Sequence, residues 1–166
     1  MLLLLGLCVL RLDLVQSDLQ IIIDNIDVEV DEEYFGDCEA QACENDEMIA
    51  EFSLDCKLIK TLPIDGTMKA ILLGMVNGEP TEPTGIDMEM SMCQLVNDTI
   101  IGGPLFNAMK VEPKCPLEPT ALQVECYNPP MDNFPDFFPP GEYKFTFDLT
   151  HDDAHLFLFE VYLTLY

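Results

Sequence analysis

Alternation of apolar and polar side chains, interrupted by proline and glycine, constrains this chain more than any other feature. It is clearest after Gly141, where Tyr143, Phe145, Phe147 and Leu149 alternate with Lys144, Thr146, Asp148 and Thr150. A period of two places each set on its own face of a strand, one of them turned to a core. The residues just before cannot follow suit. Phe134, Phe137 and Phe138 stand among Pro135, Pro139 and Pro140. Proline lacks an amide donor and fixes φ, which excludes a central strand or a helix interior. An aromatic, proline-stiffened loop therefore feeds directly into a strand.

The same alternation recurs along the chain. Residues 20–30 read as a first strand, with Ile22, Ile26, Val28 and Val30 on one face and Asp24 interrupting it. The acidic segment Asp31 to Glu47 reads as a solvated loop pinned by a disulfide. Met48, Ala50, Phe52 and Leu54 then oppose Glu51, Ser53 and Asp55. Asp65-Gly66 carries a hairpin signature, and Met68 to Val76 is an apolar strand ending at a second turn signal, Asn77-Gly78. Residues 79–85, with two prolines, read as loop. Ile86, Met88, Met90 and Met92 alternate with Asp87, Glu89, Ser91 and Cys93. Residues 94–110 admit a short helix or an irregular loop, since Gly102-Gly103-Pro104 stops a long helix.

The last run places Phe157, Phe159, Val161, Leu163 and Leu165 on one face, and Leu158, Tyr162 and Tyr166 with Glu160 and Thr164 on the other. Such a strand is covered on both sides or faces a cavity. His151 to His155 read as its hairpin connection. About seven or eight short strands separated by turn signals, with no strong amphipathic helix, define an all-β fold, an antiparallel sandwich or cup.

Composition narrows the function classes. With 166 residues the chain is long enough for one domain with a core. An apolar fraction of 49% excludes a disordered acidic tail. The formal charge of −24 excludes nucleic acid as a partner, which needs a basic face. Leu2 to Leu10 form an apolar run too short to span a bilayer but suited to a leader. Residues 1–17 thus read as a signal peptide and 18–166 as a single secreted, extracellular domain. Loss of Cys8 with the leader leaves Cys38, Cys43, Cys56, Cys93, Cys115 and Cys126. An even set in an oxidising compartment reads as three disulfides, with connectivity open. Asn97-Asp98-Thr99 is a glycosylation sequon.

Catalytic chemistry finds no residues. Ser17, Ser53 and Ser91 are the serines, and none lies in a Gly-x-Ser-x-Gly elbow. His151 and His155 have metal-ligand spacing on a helix but not in a strand connection. The acidic segment fails the calcium-loop template, because with Asp31 as position one, position twelve is Ala42 rather than Glu. The chain reads as no enzyme, with no metal and no cofactor. The methionine face is more telling. Three thioethers at period two fill space without specifying it. They are either an ordinary core face or the lining of a cavity that adapts to an apolar ligand.

The order Met92-Cys93-Gln94, Cys115-Pro116, Pro140-Gly141-Glu142-Tyr143-Lys144 and a closing hairpin strand resembles the insect secreted ganglioside-activator-like family. That family includes chemosensory B-type proteins and is akin to the MD-two-related lipid-recognition proteins. The resemblance covers Cys93 to Tyr166. It implies a β-cup with an apolar cavity holding lipid or another small hydrophobic ligand, and a chemosensory or pheromone-related role. The cavity set is then Phe52, Met88, Met90, Met92, Phe145, Phe147, Phe157 and Phe159. Phe134, Phe137 and Phe138 become a rim loop turned to a membrane or a receptor. By position Cys93 and Cys115 form a bonded pair. Fewer cysteines and a far more acidic charge than the ganglioside activator point to extracellular carriage rather than lysosomal presentation. The competing expectation is a secreted, disulfide-tied interaction module that binds a protein receptor or enzyme and has no cavity.

Overall fold

The alternating segments form eight strands in a computed structural model that describes residues 20–43, 50–129 and 138–166. The leader, Met48, Phe134 and Phe137 lie outside the described residues. The strands are β1 (Ile21–Val30), β2 (Phe35–Ala42), β3 (Phe52–Leu58), β4 (Thr67–Val76), β5 (Glu79–Ser91), β6 (Thr120–Tyr127), β7 (Gly141–His151) and β8 (Ala154–Leu165). Two short helices, α1 (Met92–Asn97) and α2 (Gly102–Ala108), follow β5. A five-stranded sheet, β1-β8-β7-β4-β5, lies against a three-stranded sheet, β2-β3-β6, and every strand pair is antiparallel. The fold is an all-β antiparallel sandwich.

Period two decides which side chains face between the sheets. Tyr143 pairs with Leu163, Phe145 with Val161, and Phe147 with Phe159. Directly opposed residues share a face, so the aromatic set of β7 and the odd-numbered set of β8 form one apolar surface. Met68, Ala70 and Leu72 of β4 extend it. The small sheet answers with Phe35, Leu54, Leu58 and Leu122, all buried. The Phe35 ring lies 5.4 Å from Phe157 and the Phe52 ring 5.3 Å from Phe159. The main core cluster also takes in Met92, Leu95, Val96 and Phe106 from the helices. A second cluster, Ile21, Leu72, Phe138, Tyr143 and Leu165, forms where β7 begins and β8 ends.

Five local readings are corrected. The acidic segment is not wholly loop, for β2 runs through it with Phe35 buried and Cys38 opposite Cys56. It is an outer strand of the small sheet, where alternate carboxylates stay in water. Residues 79–85 are not loop but the start of β5. This strand lies at the edge of the large sheet, where Pro80 and Pro83 are tolerated because an outward amide is dispensable. Asp65-Gly66 does make a turn, with the Gly66 amide donating to the Pro63 carbonyl at 3.2 Å. Yet it joins β3 to β4 in different sheets, so it is a crossover and not a hairpin. Ile22 is not on the core face. The register shifts between Ile23 and Asn25, which leaves Asp24 unpaired in the β1–β8 ladder. Ile21 and Ile23 therefore align inward with Ile26, and the Thr164 hydroxyl donates to the Asp24 carboxylate at 2.7 Å. Finally, Met92 does not continue the methionine strand. Ser91 caps α1 with a reciprocal capping box to Gln94, and Met92 is the first helical residue.

Candidate functional site

The inward surface is a connected run of aromatic rings. Phe157 stacks on Phe159 at 6.4 Å with 17° between planes, and meets Phe147 edge-on at 6.2 Å. Phe52 bridges to the small sheet, 5.3 Å from Phe159 and edge-on to Tyr127 at 5.7 Å. Edge-on and offset ring pairs suit the aromatic quadrupole. Four members of the expected cavity set, Phe52, Phe147, Phe157 and Phe159, thus come together by ring contact. Phe145 packs against both core clusters. Met88 and Met90 lie half-buried against the main cluster, and Met92 is a buried member of it. Phe35 and Tyr127 join the same aromatic run, although the sequence reading did not include them. Phe35 stands in an acidic stretch and has the same parity as the exposed Asp37 and Glu39, so period two carries no signal for it; the register shift between Phe35 and Cys38 turns it inward.

Burial along this surface is uneven. Phe159 is buried, whereas Phe52, Phe145, Phe147 and Phe157 are half-buried despite facing the opposite sheet. Of the three rim phenylalanines, Phe138 lies within the described residues, and it is an anchor. It is 7% exposed and meets Tyr143 edge-on at 5.9 Å. The Tyr143 hydroxyl donates to the Pro139 carbonyl at 2.7 Å, which fastens the end of the loop to β7. Burial, and then the nearby Glu82 carboxylate, push the Tyr143 phenol above its ordinary pKa.

Pockets formed by described residues include the following two. One, of about 330 Å³, lies between Phe138–Tyr143 and the Gly74–Glu82 corner of β4 and β5. The other, about 770 Å³, is a groove on the small sheet edged by Asp37, Glu39, Asp55, Lys57 and Ile59. None of the eight expected cavity residues lines either.

The six cysteines pair as Cys38–Cys56, Cys43–Cys126 and Cys93–Cys115. Three such bonds fit an extracellular protein. Cys43–Cys126 straps the two outer strands of the small sheet across β3, where the Ser53 hydroxyl accepts the Cys126 amide at 3.0 Å. Cys93–Cys115 ties α1 to the segment before β6. Asn97 is exposed in the last turn of α1, its amide donating to the Cys93 carbonyl at 2.7 Å. The next residue, Asp98, accepts from the amides of Ile100, Ile101 and Gly102. These bonds, the one from Ile101 foremost, hold its carboxyl below the usual range.

Both histidines sit at the β7–β8 hairpin. Its turn residues, Asp152 and Asp153, have φ of 50° and 63°, the left-handed pair a two-residue hairpin requires. His151 lies 3.2 Å from Asp65, and His155 is 2.8 Å from Asp148. The Asp148 bond raises the His155 pKa above 6.5. No helix among the described residues is long and apolar enough to cross a membrane. No family model and no curated protein matches this chain.

Proposed function

We propose that this protein is a secreted, non-enzymatic carrier of lipid or another small hydrophobic ligand. In this reading the sandwich is a β-cup of the insect ganglioside-activator-like kind, with a chemosensory or pheromone-related role and a glycan on the exposed Asn97. The observation that carries it is the half-burial of Phe52, Phe145, Phe147 and Phe157 on surfaces that face each other. Each square ångström of apolar surface left in contact with water forgoes about 25 cal/mol. A closed sandwich of this composition has the side chains to recover that energy. An apolar ligand between the sheets recovers it instead. The test is organic extraction of the protein from a eukaryotic secretion host, followed by mass spectrometry and by uptake of the fluorophore N-phenyl-1-naphthylamine. The expected result is co-purified lipid or saturable uptake, and absence of both overturns the reading.

One observation favours a second reading. The two pockets described above are lined by none of the eight cavity residues, and the larger of them lies on the small sheet. That suits an interaction module binding a protein receptor or enzyme. Under it the protein takes up no fluorophore, and charge reversal at Asp37 and Glu39 abolishes capture of a receptor while leaving the fold intact.

A further inference from the structure

The pocket beside Phe138 brings a carboxylate onto the inward side of the large sheet. Along β4 that side runs Met68, Ala70, Leu72 and then Gly74. The residue opposite Gly74 on β5 is Glu82, and the one opposite it on β7 is Tyr143. Opposed residues share a face, so Glu82 projects on the same side as the Tyr143 ring. Gly74 leaves the space: a Cβ there would stand 3.3 Å from the Glu82 Cβ, closer than ordinary contact. The resulting pocket is walled by Phe138, Pro83 and Tyr143 and edged by Glu82 and Glu142.

Among the described residues no lysine or arginine lines it. None occurs in the sequence from Ala70 to Met109, or from Cys115 to Tyr143. Lys144, the next residue, alternates to the outer face. There its ammonium is 2.7 Å from Glu160 and lies over the Tyr162 ring, so its charge is already engaged. Burial, and then the Glu82 carboxylate, hold the Tyr143 phenol above its ordinary pKa.

Resting on the carrier reading, we propose that this pocket receives the head group of the ligand and that the head group is cationic. The ligand class is a long-chain amine or a similar amphiphile ending in an ammonium, and not a long-chain carboxylate or phosphate. An ammonium here meets the Glu82 carboxylate and aromatic side chains, and both attract it. An anion meets like charge with no cation to offset it. The tail has continuous apolar surface to follow, because Phe145 packs against both the cluster holding Tyr143 and the cluster touching Phe147.

The test is displacement of N-phenyl-1-naphthylamine at neutral pH by dodecylamine, dodecanol and dodecanoate. Dodecylamine is expected to displace at about fivefold lower concentration than dodecanol, the size of a partly exposed ion pair, with dodecanoate weakest. E82Q/E142Q is expected to bring amine and alcohol within about twofold, with the alcohol unchanged. The charge-matched E39Q/E125Q, altered on the small sheet, keeps the preference. Equal or better binding of dodecanoate overturns the proposal. So does a preference that survives E82Q/E142Q, which assigns it to the bulk negative charge. Unchanged preference with new self-association in E82Q also overturns it, and assigns Glu82 to protection of an edge strand. If dodecanol binds and the amine gains nothing, this inference alone fails. If no chain displaces the fluorophore, the carrier reading fails with it.

Discussion

Met90 and His155 show how differently single residues serve this molecule. Met90 is half-buried against the main core cluster, on a strand whose other face carries Asp87 and Glu89. A flexible thioether there either fills a core or yields to a ligand. Met90→Trp separates the two. On the carrier reading it blocks uptake of N-phenyl-1-naphthylamine at a stability cost of about 1–3 kcal/mol from overpacking. Unchanged uptake removes Met90 from the site. His155 is an exposed side chain whose role is electrostatic. Asp148 bonds its Nδ1, and Glu29 adds a smaller attraction, so its folded pKa is raised. A raised value means that the stabilisation is fully present below the ordinary histidine range, while Asp148 remains ionised. It is lost as pH rises through the raised midpoint. Its size is a few tenths of a kcal/mol, because water screens the pair. NMR titration is expected to place the His155 midpoint above 6.5, with D148N returning it towards that value. An unshifted midpoint in the parent removes the pair.

At the scale of elements, the α1–α2 corner depends on a single missing side chain. The Asp98 carboxylate collects three amides and turns the chain so sharply that a Cβ on Gly102 would overlap the Leu95 carbonyl oxygen. That oxygen belongs to backbone and cannot rotate away. Gly102→Ala is therefore expected to cost about 3 kcal/mol in urea unfolding, at the upper end of overpacking. Gly78 offers the contrast. Its φ is +82°, and nothing stands within 4 Å of a Cβ there, so Gly78→Ala costs only left-handed strain of about 1–2 kcal/mol. Equal losses at both sites would show that the corner shifts to make room. Much of this organisation was legible in the residues. β7, β8 and the turn at Asn77-Gly78 follow from period two and turn chemistry alone, though not the hairpin partner that begins at Glu79, and the inward set Tyr143, Phe145 and Phe147 lies where alternation puts it. What escaped was tertiary. Alternation cannot register the bulge at Asp24, which reverses the facing of Ile22. Propensity cannot know that Pro80 and Pro83 fall on an edge, or that the acidic β2 needs only one buried face. The aromatic part of the candidate site was legible for the same reason as the strands. The Gly74–Glu82 corner was not, because it exists only once β4 lies between β5 and β7.

Taken whole, the molecule combines a modest apolar core with 31 carboxylates against 7 basic side chains. Self-repulsion at neutral pH favours any expanded state, so covalent constraint matters more here than in a neutral sandwich. The three disulfides differ in how they constrain the chain. Cys38–Cys56 spans 18 residues and links adjacent strands that the β2–β3 ladder already pairs. Cys93–Cys115 spans 22 residues. Cys43–Cys126 spans 83 residues and encloses the whole segment from β3 to β6. In the chain-entropy description, stabilisation grows with the logarithm of the loop. That gives about 4.5 kcal/mol for the long bridge and about 3.4 kcal/mol for Cys93–Cys115. Cys126 is exposed and Cys43 half-buried, and neither belongs to a core cluster, so their replacement opens little cavity. C43S/C126S is therefore expected to lower the urea-derived stability by about 1 kcal/mol more than C93S/C115S. The gap should persist at high salt, where screening reduces self-repulsion for both variants alike. A larger loss from C93S/C115S would mean that the helical corner, not the long loop, is the weak point of the fold. The charge would then act on local packing around α1 and not on the dimensions of the unfolded chain.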